Sequence, residues 1–253
     1  MTEKRPNYHA VVSSDWNECL APCGPFDCIS FNYPELALDL NKIFGQYTGN
    51  LISLGEATRR IRNLLPAPIT PAQMDAYLAE SFRTYQGVSA LIEWCHRNNI
   101  LFMINTTGMV GYFQRVWARG LLPRVAVVSA HPLIRYPELP SDPPYVLDLA
   151  EIQDKSRNTA VAVHTFKIPP AKIILMGDSG GDGPHFEWGK RQGACLIGSM
   201  TKPSLEAYCR TRGVEISLHF GRSYSPGEPK DLPKEMQVNF MDLAAAIEEF
   251  LSR

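Results

Sequence analysis

Short apolar runs of strand length recur along this chain, and stretches of helical periodicity separate most of them. Tyr8 to Ser13, Ile100 to Ile104, Val125 to Val128, Ile173 to Met176 and Ala194 to Ile197 are such runs. Between them, Val88 to Arg97, Val110 to Arg119, Leu147 to Phe166 (in one helix or two) and Pro184 to Gln192 carry apolar residues at helical spacing, and Met241 to Leu251 closes the chain the same way. Uninterrupted apolar strands alternating with helices predict an α/β fold with a doubly wound parallel sheet, because only strands covered by helices on both faces need no polar alternation. Residues 33–83 break the alternation. They contain helical patterns only, including Thr70 as an N-cap before Pro71, and they fall between the first and second strands. The expected organisation is therefore a core of residues 1–32 and 84–253 with a helical cap, 33–83, inserted into it. Residues 131–146 and 222–234 are expected to be long surface loops.

In open parallel sheets, ligands sit outside the carboxyl ends of the strands. Asp15 and Asn17 come after the first strand, Thr106, Thr107 and Gly108 after the second, and Asp178, Gly180, Gly181 and Asp182 after the run Ile173 to Met176. Asp, Asn, Thr and Gly also suit plain strand-to-helix turns. Gly177-Asp178-Ser179-Gly180-Gly181-Asp182 is more pointed, since two acids four apart among glycines describe a tight loop presenting carboxylates to a cation. Mg2+ prefers oxygen donors and takes one or two carboxylates beside water and phosphate. Asp15 is placed to be a further ligand, or a nucleophile toward phosphorus. Thr106 is expected to offer a hydroxyl and main-chain N–H groups at a helix N-terminus, suited to phosphate. A lysine would complete such a site, with Lys155 and Lys172 as candidates.

The ordered set resembles the haloacid-dehalogenase (HAD) superfamily, in its phosphoserine-phosphatase-like branch with a helical cap. Val11-Val12-Ser13-Ser14-Asp15-Trp16-Asn17-Glu18-Cys19-Leu20 falls on the first motif, Ile104-Asn105-Thr106-Thr107-Gly108 on the second, and Gly177 to Asp182 on the metal motif. Lys155 lies upstream of Asp178 at a spacing like that of the family lysine. The resemblance implies a Rossmann-like core and a hydrolase that removes phosphate from a small phosphorylated metabolite. Asp15 would be the nucleophile, with Thr106, Thr107, Gly108 and Lys155 around the phosphate. Mg2+ would sit among Asp15, Asp178, Asp182 and the Asn17 carbonyl.

Two positions depart from the pattern. Cys19 replaces the usual Thr, and Asn17 replaces the second Asp of the first motif, whose work is proton transfer. An amide cannot exchange that proton at neutral pH, and such catalysis is worth about 10²–10⁴-fold. Three readings of Asn17 stay open: a slow or specialised enzyme that borrows another acid such as Glu18 or Asp27, a non-catalytic protein that binds a phosphorylated ligand, or a substitution that traps the intermediate. Dehalogenation is disfavoured by the acid loop, which that chemistry does not need.

Composition narrows the partners. The net charge of −1 gives no global attraction to nucleic acid or an anionic membrane. Arg59, Arg60 and Arg62 could meet an anionic substrate, although a solvated helix face explains them more simply. The polar start, Met1 to Pro6, carries no apolar leader, which makes the cytoplasm the expected compartment. Cys19, Cys23 and Cys28 do not fall in a paired C-x-x-C pattern, so reduced thiols are expected rather than zinc.

Overall fold

In the computed structural model, which describes residues 7–48 and 51–253, strand β1 (Ala10–Ser14) lies at the centre of a seven-stranded sheet. The polar start, residues 1–6, falls outside the described residues, as do positions 49 and 50 within the helical block. After β1 the chain enters α1 (Asp27–Asn32), α2 (Ala37–Thr48), α3 (Leu54–Leu64) and α4 (Pro71–Ser81), with no strand among them. Then α5 (Val88–Arg97), β2 (Ile100–Met109), α6 (Val110–Ala118), β3 (Val127–His131) and β4 (Tyr145–Asp148) build one half of the sheet. The other half consists of α7 (Asp154–Phe166), β5 (Ile173–Gly177), α8 (Gly183–Gln192), β6 (Cys195–Thr201), α9 (Pro203–Thr211) and β7 (Leu218–Ser223), before α10 (Leu232–Glu235) and α11 (Leu243–Ser252) close the chain.

The strand order is β4-β3-β2-β1-β5-β6-β7, and every pairing is parallel. Because side chains alternate across a strand, the apolar runs split between two cores. Val12, Phe102, Ile104, Ile174 and Met176 belong to one core, while Val11, Leu101, Met103, Ile173 and Leu175 belong to the other. Both faces of the central strands are thus buried, which is why their sequences show no polar alternation. The chain runs outward from β1 through β2 to β4, then returns to β5 on β1's other side. That reversal opens a crevice at the carboxyl ends of β1, β2 and β5.

Local signals account for several boundaries. Thr70 and Gln73 form a reciprocal capping box at α4, with Pro71 in the first turn. The helix α5 spans the residues its periodicity predicts. The stretch Leu147 to Phe166 contains a single helix, Asp154–Phe166, because its first residues end the unforeseen strand β4, half-buried at the sheet edge. The stretch 222–234, expected as loop, contains the end of β7 and most of α10. The helix α9 and the strand β7 were not foreseen; β7 alternates half-buried and exposed residues at the opposite edge, so its apolar signal is diluted. Among the described residues, no helix is long and apolar enough to cross a membrane.

Candidate active site

Asp15 leaves the end of β1 with its main-chain N–H bonded to the carbonyl of Met176 in β5, which fixes it over the crevice. Its carboxylate is engaged on both oxygens. Oδ1 accepts the Trp16 N–H at 2.6 Å, and Oδ2 lies 3.0 Å from Lys155 Nζ. Lys155 comes from the first turn of α7 and is 1% exposed. Its ammonium also donates to Asp182 Oδ1 at 2.6 Å. Burial opposes the charge on Lys155, but the Asp15 and Asp182 carboxylates outweigh it and hold its pKa above the ordinary lysine range. Burial raises the Asp15 pKa, and Lys155 pulls against that rise.

The acid loop after β5 is tied to itself. Asp182 Oδ2 accepts the N–H groups of Asp178, at 3.0 Å, and Ser179, at 3.3 Å. Gly177 makes this possible, since a Cβ there would meet Asp182 Cγ at 2.4 Å. Ligand oxygens of Asp15, Asp178 and Asp182 all lie within 4.8 Å of one another. Burial pushes the Asp178 pKa up to about 7, against the pull of Lys202.

Asn17 and the threonines occupy the other side. Thr106 donates its hydroxyl to Asn17 Oδ1 at 3.1 Å and accepts the Gly108 N–H at 3.1 Å. The Asn17 amide nitrogen donates to the Cys23 carbonyl at 3.2 Å. A Cβ at Gly108 would come within 2.7 Å of Asn17 Oδ1, so glycine there leaves room for this side chain. Thr107, not Thr106, lines the cavity. The strand β2 runs on to Met109 through a register irregularity after Asn105, and α6 starts only at Val110. Thr106 is therefore strand backbone, and the expectation that it sits at a helix N-terminus does not hold.

Other sequence candidates fall outside this cluster. Lys172 donates to the Leu251 carbonyl at 2.6 Å, far along the chain, and serves the closing helix. Arg59 and Arg60 pair with Glu56 on an exposed face. Asp27 accepts the Gly24 N–H at 2.7 Å and does not line the cavity. Cys19 is buried, and desolvation holds its thiol well above the ordinary range; the six cysteines are free.

Lys202 was missed by sequence reasoning. It sits at the N-terminus of α9, immediately after β6, with Nζ 2.7 Å from Asp178 Oδ2 and in contact with Glu18. Its position beyond a strand's carboxyl end is the same as that of Asp15 and Asp178, and extending β6 to Thr201 would have exposed it. Glu18 also pairs with Lys230 at 3.0 Å, and these two lysines hold its carboxyl below the usual range despite burial.

Asp15, Glu18, Asp178, Lys155 and Lys202 line a cavity of about 480 Å³. With Asp182 behind it, the site sets four carboxylates against three ammonium groups, since Lys230 also pairs with Glu18. That leaves one uncompensated negative charge, a costly arrangement beside buried groups without a counterion. Asp178 Oδ2 is buried without a hydrogen bond of acceptable geometry. An all-oxygen donor set with an excess of negative charge fits a hard divalent cation.

The architecture can be matched to solved structures. A phosphoserine phosphatase solved as a phospho-aspartyl intermediate analogue superposes with a TM-score of 0.66 over 94% of this chain and 99% of that one, at 12% identity. A HAD family hydrolase from Salmonella enterica serovar Typhi gives 0.68 over 96% of this chain and 72% of that one, at 16% identity. The chain has the HAD fold. A probable phosphoserine phosphatase from Vibrio cholerae shares it too, at a TM-score of 0.56 and 12% identity over 78% of this chain and 58% of that one. No family model matches the chain, and no curated protein matches it by sequence.

Proposed function

We propose that this protein is a Mg2+-dependent phosphatase acting on a small phosphomonoester, with Asp15 as the nucleophile. The observation that carries this reading is the buried Asp15 carboxylate, fixed by Trp16 and Lys155 and facing the Asp178–Asp182 loop across one cavity. Attack by an Asp15 oxygen on phosphorus would displace the alcohol and leave an aspartyl-phosphate, which water then hydrolyses. Phosphoryl transfer asks mainly for positioning and charge stabilisation. Lys155 would orient Asp15 and offset the phosphate charge. Thr107, which lines the cavity, is the hydroxyl available to a phosphate oxygen; Thr106 would act through Asn17. Asp15, Asp178, Asp182 and the Asn17 main-chain carbonyl would hold the cation, which supplies electrostatic stabilisation of the transferring group.

The helical block 33–83 is proposed as the cap, because Phe44, Tyr47 and Thr48 of α2 line the same cavity and would screen the reaction from water. Asn17 would make the enzyme slow or specialised. The test is phosphate release with Mg2+ across a panel of phosphorylated small molecules, using Asp15→Asn as the control. Multiple turnover by the parent chain, absent in the control, is the expected result.

Asn17 itself favours a second reading, a protein that binds a phosphorylated ligand without turning it over. Such a binder would show Mg2+- and ligand-dependent thermal stabilisation with no phosphate release.

A further inference from the structure

Two chemically different sets of residues line the cavity. One is the carboxylates and lysines. The other is an apolar group of Phe44, Tyr47, Pro25 and Ile152. Phe44 stands edge-on to Phe26 with ring centres 6.0 Å apart and lies 6.5 Å from the Tyr47 ring, so the wall is a braced aromatic surface. The Thr48 hydroxyl is already engaged, donating to the Phe44 carbonyl at 2.9 Å.

No free cation accompanies the apolar set. Among the described residues, Lys155 and Lys202 are the cations lining the cavity, and both are paired with carboxylates. Glu18, the most exposed of the acids lining the cavity, is held by Lys202 and Lys230. Three arginines of the helical block are engaged elsewhere: Arg59 and Arg60 pair with Glu56, and Arg62 lines a separate cavity with Ile69 and Tyr136. Positions 49 and 50, next to the wall in sequence, are glycine and asparagine. A second phosphate or carboxylate on the substrate would be desolvated against aromatic rings with no countercharge, and an ammonium would find no free acid.

We propose that the substrate is the phosphomonoester of an uncharged alcohol with a flat, apolar body, whose ring packs on Phe44 and Tyr47. This deepens the phosphatase reading and rests on it. The test compares benzyl phosphate with phosphoserine, 3-phosphoglycerate and phosphoethanolamine, all alkyl esters, in the parent and in Asn17→Asp with Mg2+. Benzyl phosphate should be favoured at least about tenfold in kcat/KM. Phe44→Ala should raise the KM for benzyl phosphate by a larger factor than that for ethyl phosphate, while Phe44→Arg should shift preference toward 3-phosphoglycerate. Equal or better use of the charged esters would overturn the proposal and leave the phosphatase reading intact. A second arm needs no turnover: with Mg2+, benzylphosphonate should stabilise the protein to heat more than phosphonoacetate does. If neither form hydrolyses any ester, the phosphatase reading fails, and the phosphonate ranking alone decides whether the pocket prefers an uncharged ligand; equal or reversed ranking overturns the proposal.

Discussion

Lys155 Nζ lies 2.6 Å from Asp182 Oδ1, with both side chains almost wholly withdrawn from water. The same ammonium also serves Asp15, so one lysine bridges two buried carboxylates that follow different strands. Removing one partner of a buried pair strands the others, at a cost of about 3–5 kcal/mol. Lys155→Met should therefore destabilise the fold by about that much in urea unfolding. Loss of less than about 1 kcal/mol would mean that the two acids are protonated or solvated and that Lys155 does not hold the site together.

Asn17 is clamped between a donor and an acceptor, the Thr106 hydroxyl and the Cys23 carbonyl. An aspartate there would face the Cys23 carbonyl with an oxygen, an arrangement that favours the protonated acid, the form a leaving group needs. Asn17→Asp should raise turnover of alkyl phosphates by about 10²-fold or more. Neither substitute acid is well placed: Glu18 is held ionised by two lysines, and Asp27 does not line the cavity. A steady-state comparison of parent and variant decides it. Unchanged alkyl-phosphate rates from an already fast parent would show that a proton comes from elsewhere, with Glu18→Gln the next variant to make.

The strands that carry Asp15 and Asp178 were legible because both their faces are buried. Val11-Val12 and Ile173-Ile174-Leu175-Met176 leave no room for another reading, and the residues after them are placed by the same rule. The edge strands were harder. Tyr145–Asp148 blends into the pattern of the next helix, and Leu218–Ser223 interleaves His, Gly and Arg. Thr106 and Thr107 could not be told apart, since the irregularity after Asn105 that turns one toward Asn17 and leaves the other to the cavity has no sequence mark. Lys202 was hidden because β6 runs through Gly198 and Ser199 beyond its apolar core. The pairing of Lys202 with Asp178 and Glu18 is a long-range fact that no local pattern encodes.

Asp178 would make binding of a cation at this site depend on pH. Burial raises its pKa from the ordinary 3.8 to about 7. A raised pKa means the folded protein holds this proton more tightly than the unfolded chain. Its contribution to stability is thus full below the unfolded pKa and is lost as pH rises through about 7 in the metal-free protein. A cation competes with the same proton. Its affinity should fall about tenfold per pH unit below 7 and level off above. Thermal-shift titrations with Mg2+ at several pH values check this, and a flat affinity between about pH 5.5 and 8.5 would exclude Asp178 as the titrating ligand.

Glu151 reaches from the loop before α7 to the start of α3. Its Oε1 accepts from the Ser53 hydroxyl at 2.9 Å and the Gly55 N–H at 3.0 Å, and its Oε2 accepts the Leu54 N–H at 3.1 Å. A carboxylate at a helix N-terminus is favoured by the free N–H groups and the helix dipole, by up to about 2 kcal/mol when partly buried. Gly55 permits the approach, since a Cβ there would lie 2.5 Å from Glu151 Oε1. This contact ties the proposed cap to the core a short distance from Ile152, which lines the cavity. Glu151→Gln keeps the size but removes the charge, so it should loosen α3 without unfolding the sheet. Hydrogen exchange should rise across Leu54–Leu64 and stay unchanged in β1 and β5, and KM should rise more than kcat falls. Gly55→Ala should act in the same direction by crowding the carboxylate. If exchange in α3 is unaffected by either change, the block is held by its apolar packing alone, and Glu151 does not fasten it.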